Sequence, residues 1–152
     1  MPEVLCQLLA QRGYGDADAA KRFLRPRLEQ ISDPYTLLGM TAAVERLERA
    51  IRAGDTILVH GDYDVDGMCS TALLTRALRQ LGARVVPFIP HRLTDGYDLT
   101  DAGVRAAVAA GARVVLTADC GTSALPAIAA LNAAGIDVIV SDHHLPGGPL
   151  PE

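Results

Sequence analysis

Val59-His60-Gly61-Asp62-Tyr63-Asp64-Val65-Asp66-Gly67 sets one histidine and three carboxylates within seven residues. The apolar, β-branched run 56 to 60 leads into this stretch, and a long helical pattern follows it. The segment therefore reads as the carboxyl end of a strand turning into a helix, the opening of a βα unit. So much negative charge in one turn is hard to keep without a cation. Two further groups, Asp119-Cys120-Gly121 and Asp142-His143-His144, each follow a short β-branched run as well. Three strand ends thus offer metal ligands.

Outward from these strand ends the pattern repeats. Apolar runs at 56 to 60, 84 to 89, 114 to 117 and 137 to 140 alternate with helical segments. Gly82, Gly111 and Gly135 stand where helices end, and Thr100 and Ser123 where the next ones begin. Repeated βα units with apolar strands predict an α/β fold, a parallel β-sheet covered by helices on both faces. Residues 1–54 read instead as a helical N-terminal arm. Val4, Leu5, Leu8 and Leu9 form an apolar patch ending near Gly13, Asp16 is placed to cap a helix over 17 to 24, and Pro26 discourages its continuation. Asp33-Pro34 opens a turn. Thr41 is placed to cap a helix carrying Val44, Leu47 and Ile51, which Gly54 closes. Residues 55–152 form the second expected domain.

Composition narrows the function classes. The chain has 152 residues, 49% of them hydrophobic, enough for one sizeable core. A formal net charge of -4 gives no global footprint for a polyanion, so any nucleic acid must be gripped locally. Cys6, Cys69 and Cys120 are odd in number and lack CxxC spacing, which fits free thiols in a reducing compartment. Polar residues such as Arg113 and Asn132 interrupt each later apolar stretch before it could span a bilayer. A soluble cytoplasmic protein without membrane partners is the expectation.

In open parallel α/β sheets the ligand crevice lies beyond the carboxyl ends of the strands, so residues just after each strand converge in space. All four histidines, His60, His91, His143 and His144, hold such post-strand positions. Imidazoles mixed with carboxylates suit Mn²⁺ or a similar divalent ion, whereas a site lined by oxygen alone suits Mg²⁺ or Ca²⁺. One aspartate can bridge a pair of ions about 3.5 to 4 Å apart, the spacing used to hydrolyse phosphate esters. Asp62-x-Asp64-x-Asp66-Gly67 also matches the opening of an EF-hand calcium loop. That reading fails downstream, because the twelfth position is Leu73 where a bidentate glutamate is required. Neither GxxxxGK nor GxGxxG is present. Asp119 and Asp142 could simply cap the helices that follow, but the adjacent His143 and His144 favour a ligand role.

The ordered set of motifs resembles the DHH phosphoesterase superfamily, and within it the RecJ-like single-strand exonucleases. Motif I is Val59 to Gly67, motif II Asp119-Cys120-Gly121, and motif III Asp142-His143-His144. The segment Ile89-Pro90-His91-Arg92-Leu93-Thr94-Asp95-Gly96-Tyr97 is similar to the RecJ-type loop, and Asp33-Pro34 with Leu38 and Met40 to that family's lead-in. The resemblance implies a Rossmann-like DHH domain holding two Mn²⁺ or Mg²⁺ ions. In it His60, Asp64 and Asp119 bind one ion, and Asp119 bridges to a second held by Asp66 and His143. It further implies that His144 faces the scissile phosphate and assists the reaction, with Asp142 orienting the histidine pair. Arg92 becomes a phosphate or DNA contact.

Two departures accompany the likeness. Asp98 stands where the RecJ-like pattern usually has glycine, and a later metal-binding aspartate and a glycine-rich DHHA1-type domain are not reached. The expected function is the N-terminal part of a metal-dependent 5′-3′ single-stranded-DNA exonuclease of repair and recombination, inactive as an isolated piece. Alternatives are a nano-RNase acting on short RNA, a cyclic-dinucleotide phosphodiesterase, or a non-catalytic nucleic-acid-binding module.

Overall fold

The computed structural model describes residues 1–151, which divide into two compact units, residues 1–40 and residues from 41 onward. In the first unit, α1 (Glu3–Gln11) and α2 (Ala17–Leu24) are joined by a short turn. Asp16 caps α2 as its position predicts, its carboxylate accepting the backbone N–H of Asp18 and Ala19 at 2.8 and 3.0 Å. Tyr14 stacks on Phe23 with ring centroids 4.2 Å apart. Two 3-10 turns, Leu28–Gln30 and Pro34–Thr36, complete this unit, the second capped by Asp33.

The second unit holds the sheet. Its strands are β1 (Thr56–Gly61), β2 (Arg84–Phe88), β3 (Ala112–Ala118) and β4 (Asp137–Ile139), all parallel in the order β2-β1-β3-β4. Side chains alternate across β1, so Ile57 and Val59 enter one layer and Leu58 the other. The first layer packs them with Val85, Val114 and Leu116 under α3 (Met40–Ala53) and α4 (Val65–Gln80), through Ala50 and Leu78. The second layer packs Leu58 and Val115 under α5 (Asp101–Ala109) and α6 (Leu125–Ala133), through Ala107, Ile128 and Leu131. Helices therefore cover both faces, the α/β arrangement expected from the strand pattern.

Three local boundaries differ from the sequence expectation. The compact units divide at Met40, so α3 lies with the sheet rather than with the arm. Its fully buried Ala50 belongs to the β1 core, and Arg46 reaches Asp137 on β4 and the carbonyl oxygen of Arg113 on β3. Accordingly α3 begins at Met40, one residue before the expected cap at Thr41. Helix α6 begins at Leu125 rather than just after Ser123, with Pro126 in its first turn, where a missing N–H costs nothing. Strand β4 stops at Ile139. Beyond it Ser141 accepts the N–H of Asp119 at 2.9 Å and donates its own N–H to Thr117 Oγ1 at 3.0 Å, which replaces the regular ladder. No helix among the described residues is long and apolar enough to cross a membrane.

Candidate metal centre

The chain leaves β1 for β2 on one side and later returns to β3 on the other, so the strand order switches between β1 and β3. Ligand crevices form at such a switch point, outside the carboxyl ends of the strands. Gly61 pairs with Ala118 at those two ends. The next residues, Asp62 and Asp119, open the two loops that carry motifs I and II.

Close backbone packing fixes the first loop. A Cβ at Gly61 would lie 1.9 Å from Thr71 Oγ1 and 2.8 Å from the Gly67 carbonyl oxygen, and one at Gly67 would meet the Asp62 backbone at 2.5 Å. Glycine at both positions lets the start of α4 lie directly on the end of β1. Asp64 caps that helix, accepting the N–H of Gly67 at 2.9 Å, and Asp66 sits in its first turn. Asp62 is buried, with its carboxylate on the N–H of Tyr63 at 2.7 Å.

Asp119 is the centre of the arrangement. Its φ of 66° is left-handed, rare for a residue other than glycine, and turns the chain sharply off β3. Its carboxylate is nearly buried, and Oδ1 has no hydrogen-bond partner among the described residues. His143 Nε2 lies 3.6 Å from that oxygen and His144 Nδ1 3.9 Å. Together the three offer ligand atoms all within 4.8 Å of one another. Burial and the nearby carboxylates of Asp66 and Asp64 push the Asp119 carboxyl above the usual carboxylate range, against the weaker pull of the two imidazoles. An orphaned buried oxygen, in the field of two further carboxylates and faced by imidazole nitrogens, has the donor chemistry of a divalent-cation site.

Asp142 builds the other wall. Its side chain is buried and accepts four bonds: the N–H of Thr122 at 3.0 Å, of His143 at 2.8 Å and of His144 at 3.2 Å, and His144 Nδ1 at 2.7 Å. Burial opposes its charge, yet the bonds from Thr122 and His144 outweigh burial and hold the carboxyl well below its ordinary range. The same bond raises the proton affinity of His144. Imidazole Nδ1 of His144 is thus committed to Asp142, leaving Nε2 to face outward. There the Tyr97 hydroxyl lies 3.3 Å away.

Sequence reasoning did not single out two aromatic residues. Tyr63 and Tyr97 meet edge to face at 6.0 Å, and the Arg92 guanidinium lies over Tyr63 at 4.8 Å. Arg92, half-buried Tyr63, Tyr97 and His144 form a continuous ledge beside the acidic cluster. The available signal was Tyr63 itself, an aromatic residue between two of the carboxylates of motif I. His91 stays in the loop, its N–H on Asp95.

His60 is buried with Nε2 unpartnered among the described residues, and like Asp64 and Asp66 it lies outside the close group of Asp119, His143 and His144. It is the penultimate residue of β1, on the same face as Leu58. Its ring lies 5.2 Å from that of Phe88 and so close to α5 that a Cβ at Gly103 would meet it at 2.6 Å. Nδ1 is 3.5 Å from Cys120 Sγ. Burial drives its pKa down to about 4 and that of the Cys120 thiol up to about 12. The imidazole packs in the α5 layer.

The departure at Asp98 has a structural form. Its φ is 71°, a conformation glycine takes freely and aspartate takes when its carboxylate bonds locally, as here to the N–H of Leu99 at 2.7 Å.

Residues 56–152 match the pattern of the DHH family, N-terminal domain. The chain belongs to the DHH family. It is 34% identical to the single-stranded-DNA-specific exonuclease RecJ of Bacillus subtilis, over 98% of this chain and 19% of that protein. With the RecJ of Escherichia coli it shares 40% over 99% of this chain and 26% of the relative. A crystal structure of exonuclease RecJ bound to manganese superposes with a TM-score of 0.71 at 46% identity, covering 76% of this chain and 30% of that one. RecJ from Thermus thermophilus in complex with Mn²⁺ gives the same score at 38% identity, over 94% and 19%. The chain therefore spans about a fifth to a quarter of the length of these curated relatives.

Proposed function

We propose that this chain is the N-terminal part of a metal-dependent, RecJ-type exonuclease that degrades single-stranded DNA from its 5′ end in repair and recombination. The observation that carries the reading is the buried, unpartnered Asp119 Oδ1, faced by His143 and His144 and in the field of Asp64 and Asp66. Support for the substrate comes from the RecJ relatives, which are single-stranded-DNA-specific. Metal-bound RecJ structures of the same fold support Mn²⁺ or Mg²⁺.

In this reading Asp64, Asp66, Asp119 and His143 would hold two ions, with Asp119 as the central ligand. His60 is left out of the donor set, because its ring is enclosed by Phe88 and α5. Ions held there would supply Lewis acidity toward phosphate oxygens and a bound water. His144, with Nδ1 anchored on Asp142, turns Nε2 toward the scissile phosphate and there holds or donates a proton. Asp142 favours the protonated imidazole and fixes its direction. Arg92 and the tyrosines beside it grip the strand, as a chain without a global basic surface requires. Residues 1–40 form a helical unit of their own, and the phosphoesterase domain includes α3 and the sheet that follows. Three free cysteines support a reducing, cytoplasmic setting.

A full-length protein carrying this chain, supplied with Mn²⁺, should shorten a 5′-phosphorylated single-stranded oligonucleotide stepwise from its 5′ end, and residues 1–152 alone should do so poorly. Preferential cleavage of short RNA or of a cyclic dinucleotide would move the substrate elsewhere in the family. DNA binding without hydrolysis of any of the three would make it a binding module.

A further inference from the structure

Asp98 belongs to the loop between β2 and α5, yet its Oδ1 also accepts the N–H of Gly121 at 2.7 Å. Gly121 lies two residues beyond Asp119, and both have left-handed backbones, with φ of 109° and 66°. Glycine takes such a backbone freely, but Asp119 does not, so the turn needs outside anchors to hold Asp119 in place. On one side it has them in Ser141, which takes the Asp119 N–H, and Asp142, which takes that of Thr122. On the opposite side stands Asp98. Its neighbour Tyr97 places a hydroxyl 3.3 Å from His144, and the same loop carries Arg92.

We propose that Asp98 is a positioning residue that clasps the Arg92–Tyr97 loop to the Asp119 turn, so that placement of the polyanion-contacting side chains and placement of the central metal-binding carboxylate are coupled. The inference rests on the function proposed above. It assigns Asp98 no contact with metal or phosphate. Its carboxylate acts by accepting two N–H groups with one oxygen, from Leu99 on its own loop and Gly121 on the other. Asparagine can keep that acceptor and tolerates the left-handed backbone, whereas glycine suits the backbone and loses the acceptor. The two substitutions therefore separate the clasp from backbone strain.

In the full-length protein, Asp98→Gly should weaken Mn²⁺ binding, read by electron paramagnetic resonance, by about fivefold or more, the lower range of typical coupling between sites. Affinity for a single-stranded oligonucleotide should fall by a similar factor. Asp98→Asn should keep both close to the parent protein, and circular dichroism melting should show both variants folded. Retention of both affinities in Asp98→Gly overturns the clasp, as does a change in melting temperature alone. Equal losses in Gly and Asn variants overturn it too, since they would make charge rather than the acceptor the cause. Loss of only one of the two affinities refutes the coupling. If the parent protein neither binds nor cleaves the oligonucleotide, the function reading falls, while the Mn²⁺ affinities of the variants still decide whether Asp98 holds the Asp119 turn.

Discussion

His60 and His144 each follow an apolar run in the sequence, and the folded chain gives them opposite surroundings. His60 lies inside β1, enclosed by Phe88, Gly103 and Cys120, with its pKa driven down to about 4 by burial. His144 lies beyond β4, half exposed, with its proton affinity raised by the bond to Asp142. One imidazole is kept neutral and the other is readied to carry charge. A shift of a few residues across a strand end separates them, because inside a strand the pleat dictates the face whereas beyond it the loop is free to aim the side chain.

If the exposed corner is chemical and the buried one structural, the largest effect should come from Asp119. Asp119→Asn in the full-length protein should abolish tight Mn²⁺ binding and lower exonuclease activity on the order of a thousandfold, as expected when several kcal/mol of charge stabilisation are lost. Metal titration should show both ions affected, and loss of only one would contradict a shared carboxylate. The metal-free variant should melt no lower than the parent, since the substitution removes a buried carboxylate whose charge is opposed by burial and by Asp66 and Asp64. A drop in melting temperature would show that the carboxylate holds the fold as well as the metal.

The buried corner should respond to pH instead. The unfolded chain takes up a proton on His60 near 6.5, whereas the folded chain resists it down to about 4. Stability from this group is therefore complete above pH 6.5 and drains away as the pH falls toward 4, by about 3 kcal/mol for a depression of that size. His144 works in the other direction. Its raised pKa contributes stability at low pH that is lost as the pH rises through the folded value, and its exposure keeps that contribution small. Melting curves of the metal-free chain between pH 7 and 4 should show the loss, and His60→Gln should flatten it. An unchanged slope in that variant would shift the acid sensitivity to other groups.

Gly103→Ala gives a smaller test of the same corner. The added methyl would press on the His60 ring and on Leu99, and α5 must shift to admit it. Overpacking of this kind costs about 1–3 kcal/mol, visible in chemical denaturation. If α5 absorbs the methyl freely, the His60 enclosure is looser than the distances imply.

Strand runs, helix ends and the convergence of three motifs were legible in the sequence because each rests on a local signal: period-two or helical spacing, a glycine after a helix, an acid after a strand. Asp64, Asp66, Asp119, Asp142, His143 and His144 stand out as candidates in this way, and the fold brings the ligand atoms of Asp119, His143 and His144 within 4.8 Å of one another. The burial of His60 could not be read so, since it depends on where β1 ends to within one residue, and apolar runs do not mark that point. The start of α6 was hidden by Pro126, which begins a helix as readily as it ends one. Tyr63 and Tyr97 were overlooked because tyrosines in loops carry no periodicity. Their role emerges only from a contact across 34 residues of sequence.

Arg92 offers the mildest probe, and one confined to the exposed corner. Its guanidinium rests over the Tyr63 ring at 4.8 Å, a contact worth about 0.5–1 kcal/mol at an exposed site, so the side chain is held beside the acidic cluster without being locked there. Replacing it with alanine removes one positive charge from the ledge and none of the donors around Asp119. Oligonucleotide binding should weaken by about tenfold, and the slope of log affinity against log salt should fall by about 0.7, the value of one phosphate contact on a single strand. Mn²⁺ affinity and the melting temperature should be unchanged. Arg92→Lys should restore most of the salt slope but not all of the affinity, because lysine supplies the charge without the planar fork that grips a phosphate and stacks on an aromatic ring. If lysine restores everything, Arg92 acts only as a point charge; if alanine changes neither quantity, the ledge binds its strand through the tyrosines alone.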